Sequence, residues 1–209
     1  RDIAERALPV ARAVGARAEE AHLLSTLGMD LNVLYGGDAG LDLMREAAAV
    51  AADFDRGEDM QRTSANLTDA LRSAGRFAES AELSLSALGD AEVRGAPMYF
   101  RALLSNAMEA MFLLGRWDEI AARLPDRPDV RGFTVTAAML WTMASRLLTA
   151  RGDFTTAEEY LAAVYGSLTD GGHANARMFA VVQRAELDLW QGRPADALRH
   201  LDTVVDVLE

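Results

Sequence analysis

Four short stretches of the chain carry the same turn. "AGRFAE" (74–79), "LGRWDE" (114–119), "RGDFTT" (151–156) and "QGRPAD" (191–196) each place Gly before Arg or Asp, then an aromatic residue or Pro. Their glycines are Gly75, Gly115, Gly152 and Gly192, spaced by 40 (115 − 75), 37 (152 − 115) and 40 (192 − 152) residues. A fainter copy, "YGGDAG", puts Gly37 another 38 residues (75 − 37) upstream. A period near 40 constrains the chain to a stacked array, because one such unit cannot bury its apolar face alone.

The turn itself predicts helix, tight turn, helix. Gly ends the first helix in the left-handed conformation that a Cβ disfavours. Phe77, Trp117, Phe154 or Pro194 then opens the second helix, and Pro suits a first helical position because its missing N–H would be unpaired there. Glu79, Asp118, Glu119, Glu158, Glu159 and Asp196 follow, at the positive end of the helix dipole. The flanks have helical period. Leu103, Leu104, Ala107, Met108, Met111 and Leu114 form one apolar stripe, and Ala197, Leu198, Leu201, Val204, Val205 and Leu208 form another.

Composition agrees. Half of the residues are hydrophobic, with Ala and Leu dominant and only Ile3 and Ile120 as isoleucines, so strand-forming material is thin. The expected fold is all-α, with about eleven helices and the first near 2–14. Loops are expected at 55–59, 89–97, 125–132 and 169–173. The helix opened by Trp117 can run only to about Leu124 before "PDRP", so a bend or break is expected near 125–132. We read 1–209 as a single repeat domain and as a fragment of a longer protein, since both ends lie inside helical patterns.

The units resemble tetratricopeptide (TPR) repeats. In that family a small residue follows the turn Gly by five positions. Ser80, Ala157 and Ala197 fit, whereas Ile120 and Asp42 do not, and the period exceeds the roughly 34 residues of the standard repeat. The resemblance implies a right-handed α-α superhelix of about five helix-turn-helix repeats. A narrower likeness lies in "ALPVARAVGARAEEAHLLSTLGMDLNVLYG", "NAMEAMFLLGRWDEIAARL" and "AELDLWQGRPADALRHLD". These are similar to the helical-repeat region of large actinobacterial ATP-binding, LuxR-type transcriptional regulators. That likeness implies a sensing or scaffold segment. The chain has no G-x-x-x-x-G-K-[ST] phosphate loop and no basic recognition helix, so the segment itself is expected neither to hydrolyse ATP nor to bind DNA.

Charge points the same way. The net charge of −11 repels phosphate backbones, so direct nucleic-acid binding is not expected. The absence of Cys excludes disulfides and Cys-based zinc sites. No run of 18 apolar residues and no signal peptide is found, which gives the expectation of a cytoplasmic protein with no membrane role.

Catalytic chemistry is not evident. His22, His173 and His200 have no metal-ligand spacing, and Ser residues sit in no G-x-S-x-G elbow. Glu19/Glu20 and Glu158/Glu159 are adjacent, so each pair points to two helix faces. No enzyme activity, metal or cofactor is expected. The inner surface is more informative. Positions 13, 9 and 6 residues before the turn Gly share one helical stripe. They are Arg62, Asn66 and Asp69; Ala102, Asn106 and Glu109; Met139, Met143 and Arg146; Phe179, Gln183 and Glu186. The candidate ligand or peptide groove is Arg62, Asn66, Asp69, Asn106, Glu109, Arg146, Gln183 and Glu186. The Asn amides either bind a ligand backbone or satisfy a neighbouring helix. Arg146 either binds an anion or makes an internal ion pair. Trp117 reads as a turn anchor, Trp141 and Trp190 as core, and Met108, Met111, Met139 and Met143 as core.

The resulting reading is a non-catalytic interaction or ligand-sensing module of a larger transcriptional regulator, with a protein, peptide or small-molecule effector as partner. The alternatives are a peptide-binding adaptor and a homodimeric self-association scaffold. A groove-binding adaptor predicts that Asn66→Ala and Asn106→Ala abolish capture with melting nearly unchanged.

Overall fold

The computed structural model describes residues 1–53, 57–94, 97–124, 135–167 and 174–208. The loop positions 55–56, 95–96, 125–132 and 169–173, with His173 and the expected bend, lie outside them. The described residues form eleven α-helices and no strand: α1 (Asp2–Val14), α2 (Arg17–Tyr35), α3 (Leu41–Asp53), α4 (Gly57–Ser73), α5 (Phe77–Arg94), α6 (Pro97–Leu113), α7 (Trp117–Ala121), α8 (Val135–Ala150), α9 (Phe154–Ser167), α10 (Ala174–Trp190) and α11 (Pro194–Leu208). No helix among the described residues is long and apolar enough to cross a membrane. The chain divides into two compact units, Arg1–Gly115 and Arg116–Glu209.

The recurring turn closes as its residues dictate. Gly75, Gly115, Gly152 and Gly192 all have φ between 74° and 80°. Around Gly75 the Gly75 N–H donates to the Arg72 carbonyl at 3.0 Å and the Arg76 N–H to the Leu71 carbonyl at 2.8 Å, which satisfies two orphan carbonyls of α4. The same pair of bonds ends α8 and α10, and also ends α1 at Gly15. The aromatic or Pro residue then starts the next helix, as expected.

The first copy departs from the sequence reading, and the reason is steric. Two hairpins place a short polar or small pair twelve residues apart at the closest helix crossing. Ser80 Oγ donates to the Thr68 carbonyl at 2.7 Å, and Ser145 Oγ to the Ala157 carbonyl at 3.0 Å. In the first hairpin the pair with this separation (40 − 28) is Gly28 and Gly40, where a Cβ on Gly40 would lie 2.1 Å from the Gly28 carbonyl oxygen. The equivalent residues are therefore Gly40, Ser80, Ile120, Ala157 and Ala197, spaced by 40 (80 − 40), 40 (120 − 80), 37 (157 − 120) and 40 (197 − 157). The position matching Gly75 is Tyr35, the last residue of α2, and not Gly37. Asp42 is fully exposed and has no part in the crossing.

Two expected loops are helical for part of their length. α5 continues through Gly89 to Arg94, and α4 already begins at Gly57. Gly89 meets no neighbouring atom within 4 Å, so its cost is one of helix propensity alone, about 1 kcal/mol. α7 is short, as "PDRP" requires.

Each unit has its own core. In unit 1, Ala21, Leu24, Ala47, Val50 and Ala51 pack as one cluster and Leu41, Met44, Leu67, Ala70 and Leu71 as another. In unit 2, Ala157, Leu161 and Leu187 pack under Phe154 and Leu148. Trp141 is buried with its ring centroid 5.8 Å from that of Tyr160, and Met108 and Met111 are buried. Trp190 is not core: it is 59% exposed at the end of α10. Leu198 and Leu201 of α11 are also exposed, so only Ala197 of that stripe is buried among the residues whose side chains are described. The cause is packing. Among the described helices, α11 has substantial contact with α10 alone, which leaves Leu198 and Leu201 uncovered.

A charged clasp holds α1 to the array. Glu20 is buried, accepts from Arg12 Nε at 2.9 Å and Arg17 Nη1 at 2.7 Å, and those arginines reach Glu46 and Asp53 of α3. The hydrogen bond from Arg12, then that from Arg17, hold the Glu20 carboxyl below its ordinary value of 4.5, against the opposing effect of burial. A depressed folded value means that Glu20 stabilises the fold at neutral pH and loses that contribution as pH falls through the folded value. The melting temperature of the wild type should therefore fall more steeply on acidification below about pH 4.5 than that of Glu20→Gln. Parallel curves for the two proteins would contradict the assignment.

Candidate functional site

Within each unit, most of the stripe foreseen from the spacing lies partly open on the first helices of the hairpins. In α4 and α6 of unit 1, Arg62, Asn66, Asp69, Ala102, Asn106 and Glu109 are all half-buried, while Leu67, Ala70, Leu103 and Ala107 beside them are buried. In α8 and α10 of unit 2, Met139, Met143, Arg146 and Glu186 are half-buried, Phe179 is exposed and Gln183 is buried. Met139 and Met143 are thus partly open and not core. With the first hairpin counted from Tyr35, the same register adds His22, Thr26 and Met29 on α2. The sequence reading did not include them because it took the stripe only from the four clear turns, at Gly75, Gly115, Gly152 and Gly192.

The polar groups of this line are largely committed to one another. Asn66 Nδ2 donates to Ser25 Oγ on α2 at 3.0 Å. Asn106 Nδ2 donates to the Ala65 carbonyl at 3.1 Å and to Thr68 Oγ1 at 2.9 Å, both on α4. Each Asn thus joins its helix to the first helix of the preceding hairpin. Of the two roles foreseen for these amides, the one observed is to satisfy a neighbouring helix. Asn106→Ala should accordingly cost about 1–2 kcal/mol, because it strips a partner from a main-chain carbonyl and from a fully buried hydroxyl. The check is the urea midpoint, and an unchanged midpoint would contradict the assignment. A groove-binding role for Asn106 predicts nearly unchanged melting instead, so the same measurement separates the two roles.

Charges are paired too. Arg72, which the spacing argument did not single out, donates to Asp69 at 2.7 Å and to Glu109 at 3.1 Å. Arg62 donates to Asp59 at 2.7 Å. In unit 2, Arg146 faces Glu186 at 3.4 Å, which is the internal ion pair of the two alternatives. Gln183 carries a buried amide nitrogen with no hydrogen-bond partner among the described residues. Among the described residues, no group of three or more His, Asp or Glu could hold a metal ion.

A concavity of about 430 Å³ opens beside the line, between the N-terminal turns of α2 and α4. Ala18, Glu19, His22, Leu23, Asp59 and Arg62 line it. It brings one predicted stripe residue, Arg62, together with Glu19, His22 and Asp59, which the sequence alone did not place together. The signal that could have found them is the register: His22 and Arg62 hold the same position in consecutive units once both are counted from the helix crossing.

Solved structures share this architecture. The chain is similar to BtubC (BKLC) from P. vanneervenii, with a TM-score of 0.71 and 16% identity over 99% of this chain and 88% of that one. It is also similar to a Podosopora anserina protein described as a kinesin light chain with nearly identical TPR-like repeats. There the TM-score is 0.58, with 16% identity over 88% of this chain and 93% of that one. The fold is a TPR-like helical repeat. At this identity the likeness is one of fold. No family model matches the chain, and no curated protein matches it.

Proposed function

We propose that the chain is a non-catalytic scaffold that binds an extended segment of a partner protein along the first-helix stripe. The observation that carries this reading is the stripe itself. In unit 1 it is a half-buried line in which Arg62, Asn66, Asp69, Asn106 and Glu109 are held in place by ion pairs and amide hydrogen bonds, and in unit 2 Arg146 and Glu186 are held by their ion pair. Such pre-ordered side chains lose little freedom when a partner docks, which is what a recognition surface requires. The fold shared with repeat proteins supports the reading. Ala102 offers the cleanest test, because its side chain is half-buried and has no polar role, while Arg62 and Phe179 show that the same register accepts large residues. Ala102→Arg should weaken partner binding at least about tenfold with little change in melting. Undiminished binding would overturn the reading.

Placement inside a LuxR-type regulator rests on the sequence resemblance alone. Its test is the gene: a phosphate loop upstream and a helix-turn-helix downstream support it, and neither being present removes it.

A further inference from the structure

The concavity between α2 and α4 is not neutral. Two carboxylates line it, Glu19 and Asp59, against one guanidinium, Arg62. Arg62 is already spent on Asp59, through Nη2 to Oδ1 at 2.7 Å. Glu19 is exposed and has no ion-pair or hydrogen-bond partner among the described residues. The uncommitted charge in the concavity is therefore negative. Ala18 and Leu23 supply an apolar wall beside it. The place is open to solvent on its outer side, so a free small molecule would bury too little surface there, whereas a side chain tethered to a longer segment would not have to.

We infer that this concavity takes the cationic end of a Lys or Arg side chain from the partner polypeptide. The aliphatic stem lies along Ala18 and Leu23, and the charged head meets Glu19, with the Asp59–Arg62 pair as the opposite wall. Long basic side chains suit such a place because their stems are apolar and their heads stay wet. The net charge of −11 also draws a basic partner toward the chain. This inference rests on the stripe reading above and adds to it the chemistry of one anchor.

The test uses the full chain and short random peptides displayed on phage. Binders that lose affinity on Ala102→Arg are kept, since they occupy the stripe, and their affinities are measured by fluorescence anisotropy. These binders should share a Lys or Arg. Replacing it by norleucine, or Glu19 by Gln, should each weaken binding about three- to tenfold, the size of one partly exposed ion pair. The two changes together should cost little more than either alone. Glu19→Gln should barely move melting, because Glu19 supports nothing beyond the start of α2. The pair Glu19→Gln and Asp59→Asn leaves Arg62 and His22 as the ionisable groups that line the concavity, with no carboxylate among its lining residues, and should turn selection toward acidic peptides. Free cadaverine should not displace a selected peptide. Stripe binders with no shared basic residue, or with full affinity for Glu19→Gln, would overturn the inference and leave the stripe reading intact. Displacement by cadaverine at peptide-like concentrations would overturn it in favour of a small-amine site. Failure to recover any binder sensitive to Ala102→Arg would overturn both.

Discussion

Gly40→Ala should lower the stability of the chain by about 3–5 kcal/mol, although it adds a single methyl group. Two independent costs coincide at this position. Gly40 has φ of 81°, where any Cβ is strained, and the added carbon would sit 2.1 Å from the Gly28 carbonyl oxygen. That oxygen is main chain and belongs to the middle of α2, so it cannot swing aside as a side-chain end would. The chain must either part α2 from α3 or rebuild the turn. Gly115→Ala is the control. It has φ of 74° but meets nothing within 4 Å, so it carries the backbone cost alone, about 1–2 kcal/mol. Urea midpoints of the two variants decide the matter. Equal losses would mean that the Gly28–Gly40 crossing is not the closest approach of the first hairpin.

Arg193→Met should cost about 2–4 kcal/mol, more than a partly exposed arginine would suggest. The reason lies in its partner. Asp188 is 1% exposed and cannot be rehydrated, and Arg193 gives it the closest contact, Nη2 to Oδ1 at 2.5 Å with Nε to the same oxygen at 3.2 Å. What remains is Arg184 Nε at 3.4 Å and His200 Nε2 at 3.3 Å, both on the other oxygen. The variant therefore strands half of a buried carboxylate between α10 and α11. Neutralising it should restore much of the loss, so Arg193→Met with Asp188→Asn should be more stable than Arg193→Met alone. If the second change deepens the loss, the cost came from the turn and not from the buried charge.

Much of the fold was legible because the turn carries its own chemistry. A Gly followed by a polar residue and a helix opener fixes a helix end locally, and four copies at a near-constant period fix an array. The first copy was misread for a physical reason. "YGGDAG" holds three glycines, all with positive φ, and local sequence does not say that the position answering to Gly75 is the Tyr35 before them. The register is set by the Gly28–Gly40 crossing, a contact between helices. Trp190 and Leu198 were misplaced in the same way. Their period marks an apolar stripe, but whether the stripe is covered depends on which helices pack against it. The stripe positions of the candidate site followed from spacing alone. The bonds from Asn66 to Ser25 and from Asn106 to Ala65 and Thr68 did not, since they join residues some forty positions apart. Nor did the concavity, because Glu19 and Asp59 become neighbours only when α2 and α4 stack.

The most direct test of the central claim is chemical-shift mapping of the isotope-labelled chain with a stripe-selected peptide. The account predicts that the perturbed resonances cluster on the first helices of unit 1, at Ala102, Arg62, His22 and Glu19. Perturbations confined to α3 and α5, or spread over the whole chain without a cluster, would contradict it.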